Sequence, residues 1–256
     1  MTTPDRIRPR SLVTAGRKPL IVRTASGQLA TPKPGERITL DDAKRLVDVV
    51  FAFDTTGSMS SKLQGLQNCM AEFIQEIVKF LLDWQFSLVP FGDLTVPGDK
   101  IVDNLPFVND AEAAIRMIRS APHFSGGSNT GESSLEAMQA AMFKPYRKGA
   151  VKVIVLLTDE PPLTSRQLTT EVINLQLQQR EFICFVASPS GHGYEALAHD
   201  NGGKWYPIGS SLNTADLLQF LRQLLKNVSR VSNDVHRLGW GSVARYLANP
   251  DRKVLE

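Results

Sequence analysis

Three short segments hold the residues whose types could do chemistry. Asp54-Thr55-Thr56-Gly57-Ser58-Met59-Ser60 offers a carboxylate followed by hydroxyls, and Thr158-Asp159 offers a second carboxylate. Between them in sequence lies Ser125-Gly126-Gly127-Ser128-Asn129-Thr130-Gly131-Glu132, Gly-rich and again hydroxyl-bearing. Few carboxylates, several hydroxyls and no His or Cys make a hard-oxygen donor set, suited to Mg2+ or Mn2+ rather than Zn2+. Asp54 and Asp159 would supply charge, and Thr56, Ser58 and Thr130 neutral oxygens. Such a set leaves positions on the cation for water or for a carboxylate from outside.

Each feature alone has a plainer reading. An Asp ahead of a helix is often only a cap for orphan amides, and an Asp before Pro161-Pro162 can be a simple turn residue. The metal reading rests on both standing at the ends of the two most apolar segments, with a hydroxyl loop between them. Asp93 reads equally well as an acceptor that orients metal-bound water or as a turn residue ahead of Pro97-Gly98. The Gly126–Gly131 loop lacks the Lys of a phosphate-cradling loop, which argues against nucleotide binding. His123, His192, His199 and His236 are scattered without a shared carboxylate and read as structural. Cys69 and Cys184 have neither metal-ligand spacing nor the numbers for a disulfide framework; they read as buried free thiols of a reduced compartment.

The elements that must position these residues follow from periodicity. Val47–Phe53 and Val151–Leu157 are short, nearly all-apolar, β-branched runs of the kind buried on both faces of a parallel sheet. Phe86–Phe91, Phe182–Ala187 and Lys204–Ile208 are further strands, and Lys100–Phe107 reads as an antiparallel edge strand. Helical spacing runs through Ser60–Leu82, Asp110–Arg119, Glu132–Phe143, Ser165–Gln179, Tyr194–Asp200 and Thr214–Val228. Strands alternating with helices predict a doubly wound α/β domain, its mostly parallel sheet covered on both faces. In such folds ligands bind beyond the carboxyl ends of the strands, where strand order reverses. Asp54 and Asp159 would meet there if their two strands are neighbours.

Around this body, residues 1–45 read as a basic N-terminal arm with a short hairpin about Ala25-Ser26-Gly27, 46–230 as the domain, and 231–256 as a docking tail. The 256 residues are 42% hydrophobic and 21% charged, which excludes wholesale disorder. No apolar run approaches the ~20 residues that cross a bilayer, and no apolar stretch follows MTTPDRIRPR, so a cytoplasmic location is expected. The net charge is +3 but uneven, with eight basic residues against two acidic in 1–37 and a net acidic centre. A dedicated nucleic-acid binder would concentrate basic charge on its folded surface instead.

Asp54-Thr55-Thr56-Gly57-Ser58 resembles the metal-ion-dependent adhesion site of von Willebrand factor type A domains. Their pattern is Asp-x-Thr/Ser-x-Ser after the first strand, a Thr in a later loop and an Asp after the fourth strand. Asp54, Thr56 and Ser58 match the first element, Thr130 the loop threonine and Asp159 the last. Phe91-Gly92-Asp93 and Leu197–Tyr206 resemble further segments of the family, over roughly residues 46–229. The resemblance implies a Rossmann-like fold and a non-enzymatic binding module. In it, Mg2+ (or Mn2+) held by those five residues is completed by a Glu or Asp from a protein partner. By analogy with cytoplasmic members, it implies an adaptor or scaffold in a bacterial stress or defence assembly, alongside an AAA+ ATPase or another component. The alternative is a Mg2+-dependent phosphatase of the haloacid dehalogenase type. That chemistry needs a second acid where Thr56 stands, and a Lys at a strand end where none is found.

Overall fold

The computed structural model of the chain describes residues 22–23, 29–30, 45–77, 82–127, 131–163, 168–208, 214–239, 241–253 and 255. The chain separates into two units, 1–44 and 45–256. In the first, β1 (Val22–Arg23) and β2 (Leu29–Ala30) form the antiparallel pair expected on either side of Ala25-Ser26-Gly27, with Val22 opposite Ala30.

The second unit runs β3 (Arg45–Asp54), a 3-10 turn (Gly57–Met59), α1 (Ser60–Ile77), β4 (Leu82–Phe91), α2 (Ala111–Arg119), α3 (Ser134–Met142), β5 (Val151–Leu157), α4 (Thr170–Gln179), β6 (Phe182–Ser188), α5 (Tyr194–His199), β7 (Trp205–Pro207), α6 (Thr214–Leu238) and α7 (Val243–Leu247). The five strands form one parallel sheet in the order β4-β3-β5-β6-β7. The chain first steps from β3 to β4 on one side and then returns to lay β5 on the other. The strand order therefore reverses at β3 and β5, and their carboxyl ends flank the crevice.

Side chains alternate along each strand, so the apolar runs feed two cores. Val47, Val49, Phe51 and Phe53 of β3 join Val153 and Val155 of β5 under α1, α2 and α6. Val50, Ala52, Ile154, Leu156 and Cys184 face α3, α4 and α5 on the other side. Phe51 sits between Phe73 and Phe86, with ring centroids 5.4 and 5.5 Å away. Geometry of this kind adds about 0.5–1.5 kcal/mol per ring pair beyond the area buried. Asp110 caps α2 by accepting from the Ala113 amide at 2.8 Å, and Thr169 caps α4 through Val172.

At the opposite end of the sheet a buried ion cluster ties the layers together. Asp48, fully shielded from solvent, accepts from Arg147 Nε and from the Arg147 amide, both at 2.7 Å. The guanidinium also donates to Asp83 Oδ1 at 2.8 Å and to the carbonyls of Val47 and Asp83.

Two expectations are corrected. Lys100–Phe107 is not an antiparallel edge strand; the chain here pairs with β4 in isolated antiparallel bridges, Phe91 to Ile101 and, just past the segment, Phe86 to Val108. Seven steps of this segment span five of the strand, so it bows outward, and Pro106 has no amide to offer a ladder. The last helix does not end at Val228 but continues to Leu238, through the boundary expected at 230. Val231 and Val235 extend its buried stripe, and Val243 and Tyr246 of α7 join the same core. Cys184 is a buried free thiol; the side chain of Cys69 and the whole of Trp240 lie outside the described residues.

Candidate metal centre

Asp54 is the last residue of β3 and Thr158 follows β5 directly, so pairing of the two strands sets their side chains together. Asp54 is fully buried. Its Oδ1 accepts from the Thr56 amide at 3.0 Å and from Thr56 Oγ1 at 2.7 Å, while Oδ2 accepts from Thr158 Oγ1 at 2.8 Å. Thr56 Oγ1 lies 3.1 Å from Ser58 Oγ, and Ser58 Oγ donates to Asp159 Oδ1 at 2.9 Å. One chain of oxygens thus runs from Asp54 through Thr56 and Ser58 to Asp159. It opens outward, because Thr56 is buried, Asp159 half-buried and Ser58 exposed. Thr56 makes no side-chain cap to the 3-10 turn, so its hydroxyl serves the carboxylate and not the helix start.

Thr130 and its neighbours 128–129 lie outside the described residues. Ser125 accepts from the Gly57 amide at 3.2 Å, and Phe124 donates to the Thr55 carbonyl at 2.9 Å. Asp99 clamps this loop, accepting from the amides of Ser125, Gly126 and Asp93. Gly126 has φ +71°, and a Cβ there would stand 3.0 Å from Thr56 Cβ and 3.2 Å from Glu132 Oε1; the loop needs glycine for both reasons.

Two acids missing from the expected set are gathered at the same place. Glu132 forms a parallel bridge to Pro162, its amide donating to Pro161 O and its carbonyl accepting from Leu163, both at 2.9 Å. The loop that carries Asp159 is therefore stitched to the entry of α3. Tyr194 braces both, meeting Ser134 Oγ at 2.7 Å and donating to the Glu160 carbonyl at 3.2 Å. Asp93 uses Oδ1 in a turn with the amide and hydroxyl of Thr95, but Asp93 Oδ2 and Glu132 Oε2 are buried with no hydrogen-bond partner among the described residues. The Gly-rich loop ending in an acid was the available signal for Glu132. Its meaning depends on the bridge to Pro162, which no local pattern encodes.

The electrostatics agree with the geometry. Burial pushes the Asp54 carboxyl up to about 6 in spite of its three hydrogen bonds. Burial, and then the charges of Asp54 and Asp93, push Glu132 up to about 8. Carboxylates shut away from water with no opposite charge hold protons tightly, and a cation can take the place of those protons. Hydroxyls that donate to carboxylates keep their lone pairs for such an ion. The residues present therefore fit a hard divalent cation. Among the described residues no three His, Cys, Asp or Glu side chains converge as a ready-made chelate, so hydroxyls must complete the shell. Two open concavities, one lined by Leu105, Glu136 and Lys144 and the other by Arg147, Lys152 and Arg180, include none of these residues. His123, His192 and His199 are exposed, and His236 Nε2 lies 3.3 Å from the Leu46 carbonyl.

No curated protein matches the chain. The model of the von Willebrand factor type A domain matches residues 48–202. Among solved structures, the chain is similar to proximal thread matrix protein 1 from the mussel byssus, whose MIDAS motif is occupied by zinc. The two share 15% identity with a TM-score of 0.56, over 73% of this chain and 46% of that one. It is also similar to a von Willebrand factor type A structure from Catenulispora acidiphila, at 17% identity and a TM-score of 0.52, over 73% of this chain and 43% of that one. At these identities the likeness is one of fold, and the chain spans less than half the length of either neighbour.

Proposed function

Because the chain belongs to the von Willebrand factor type A domain family, we propose that it is a metal-dependent protein-interaction module with its centre at Asp54, Thr56, Ser58, Thr130 and Asp159. Domains of this family are commonly interaction modules. The observation that carries the reading is the oxygen chain from buried Asp54 to half-buried Asp159 at the crevice between β3 and β5. Its donors are all oxygen, which favours Mg2+ or Mn2+; the zinc of the mussel protein makes Zn2+ the competitor to test. When bound, the cation supplies an electrophilic point for a Glu or Asp of a partner. The protein's own residues do the rest. Asp54, held by Thr56 and Thr158, fixes the inner anchor, and Asp159 and Ser58 form the rim that a partner meets.

The partner belongs, on this reading, to a multiprotein bacterial stress or defence system in the cytoplasm, with an AAA+ ATPase as a candidate component. The arm 1–45 is, on this reading, an appendage to the domain. A phosphatase reading gains no support, because Thr56 stands where a second acid is required and its hydroxyl is spent on Asp54.

The test is retention of partners by the immobilised chain from a lysate of its source cell. Partners are expected to be held in Mg2+, released by EDTA, and not held by Asp54→Ala. Equal retention in EDTA, or by the variant, means that recognition uses another surface.

A further inference from the structure

We propose that Glu132 is a direct oxygen ligand of the cation beside Asp54, a second inner carboxylate supplied from the entry of α3. The inference rests on the metal-site reading above and concerns a residue outside its set.

Placement comes first. The backbone of Glu132 is fixed on both sides by the loop that follows Asp159, through Pro161 and Leu163. Its side chain lies beside Thr56, since a Cβ at Gly126 would stand 3.2 Å from Glu132 Oε1 and 3.0 Å from Thr56 Cβ. Glu132 therefore lies next to the oxygen chain that Asp54 anchors.

The plainer roles of an acid at this position are then taken in turn. A Glu before a helix can serve its first amides, but no bond from this carboxylate to α3 is formed, and Ser133, the N-cap, spends its hydroxyl on the Leu94 amide. None of the ion pairs among the described residues engages Glu132. The residue is 4% exposed and its Oε2 has no hydrogen-bond partner among the described residues. Burying a carboxylate oxygen without a donor or counter-charge is strongly unfavourable. Asp93, fully buried beside it with its own orphan Oδ2, compounds the deficit. A divalent cation at the Asp54–Thr56 position satisfies Glu132 and lessens the charge around Asp93.

A consequence follows for the partner. With Asp54 and Glu132 as its two inner carboxylates, the cation is neutralised by the chain itself and is held before any partner arrives at the Ser58–Asp159 rim.

The experiment is Mn2+ binding to the full chain by calorimetry and electron paramagnetic resonance, with circular dichroism confirming the fold of each variant. Glu132→Gln keeps the shape and removes the charge; Glu132→Asp keeps the charge and withdraws the oxygens by one methylene. Both are expected to weaken Mn2+ by about tenfold or more, a typical scale for perturbing a metal centre, and to alter the spectrum of any Mn2+ still bound. Affinity unchanged in Glu132→Gln while Asp54→Ala abolishes binding overturns the proposal and leaves the metal site standing. Weakening in Glu132→Gln but not in Glu132→Asp also overturns it, because charge alone then suffices. If Asp54→Ala binds Mn2+ like the parent, the metal-site reading itself falls.

Discussion

Asp48 and Asp54 stand on the same strand, both shut off from solvent, and their surroundings differ in kind. Asp48 is met by the guanidinium and the amide of Arg147 at 2.7 Å, so its charge is matched inside the protein. Asp54 receives two hydroxyls and an amide but no cation, and Glu132 and Asp93 add uncompensated oxygens nearby. A buried acid with a resident partner is architecture. One surrounded by hydroxyls and further acids, at the end of a strand where the sheet order reverses, is suited to receive a cation.

The largest effect is expected at the paired pole. Arg147→Ala leaves Asp48 buried without its counter-charge and should cost about 3–5 kcal/mol, the usual penalty for breaking a buried pair. Urea unfolding should show this loss equally in Mg2+ and in EDTA. A loss that depends on metal would mean that the two poles are coupled.

Next comes pH, at the unpaired pole. The folded-state value of Asp54 is raised from 3.8 to about 6, so the metal-free native state holds this proton better than the unfolded chain does. That contribution is complete below about pH 4 and is lost as pH climbs through 6. In EDTA, Asp54→Asn should therefore match the parent near pH 4 and exceed it above pH 6 by up to about 3 kcal/mol, at 1.36 kcal/mol per unit. Denaturation midpoints that never cross this way would show that Asp54 is a stabilising cap after all.

Divalent cation should then stabilise the parent by about 2.7 kcal/mol at a hundred times its dissociation constant. Melting curves should show this gain vanish in Asp54→Ala and Asp159→Ala and shrink less in Thr130→Ala, because water can replace one neutral oxygen. His199→Ala should keep it in full. The smallest effect is expected from deleting residues 1–37. The truncated chain should stay soluble with its Mg2+-dependent melting intact, and insolubility would show that the arm covers core surface.

How far the sequence carries such arguments depends on what each element is made of. The five strands were legible because runs such as Val151–Leu157 can only be buried on both faces, and Asp54 and Asp159 drew notice by ending two of them. The last helix was read short at Val228, because Ser229, Ser232 and Asn233 have weak helix propensity although Val231 and Val235 continue the stripe. The segment 100–107 carried strand-like residues, yet its register against β4 slips by two, which no local pattern reveals. Glu132 and Asp93 were harder still. Their significance is that one buried oxygen of each has no partner among the described residues, a property of the assembled crevice and not of any stretch of chain.

The pairing of β3 with β5 has a kinetic side. Ser58 and Asp159 are 101 positions apart in the chain, and no hairpin shortcut exists in a wholly parallel sheet. Contacts of such long separation form slowly, after much loop-closure entropy has been spent. The oxygen chain can close only once that register is set, so it belongs to the late side of the folding barrier. Interactions absent from the transition state change the rate of unfolding and leave the rate of folding nearly untouched. In stopped-flow experiments, Mg2+ should accordingly lower the unfolding limb of the chevron and leave the refolding limb where EDTA puts it. The cation then acts as a latch on a finished sheet rather than a seed for its assembly.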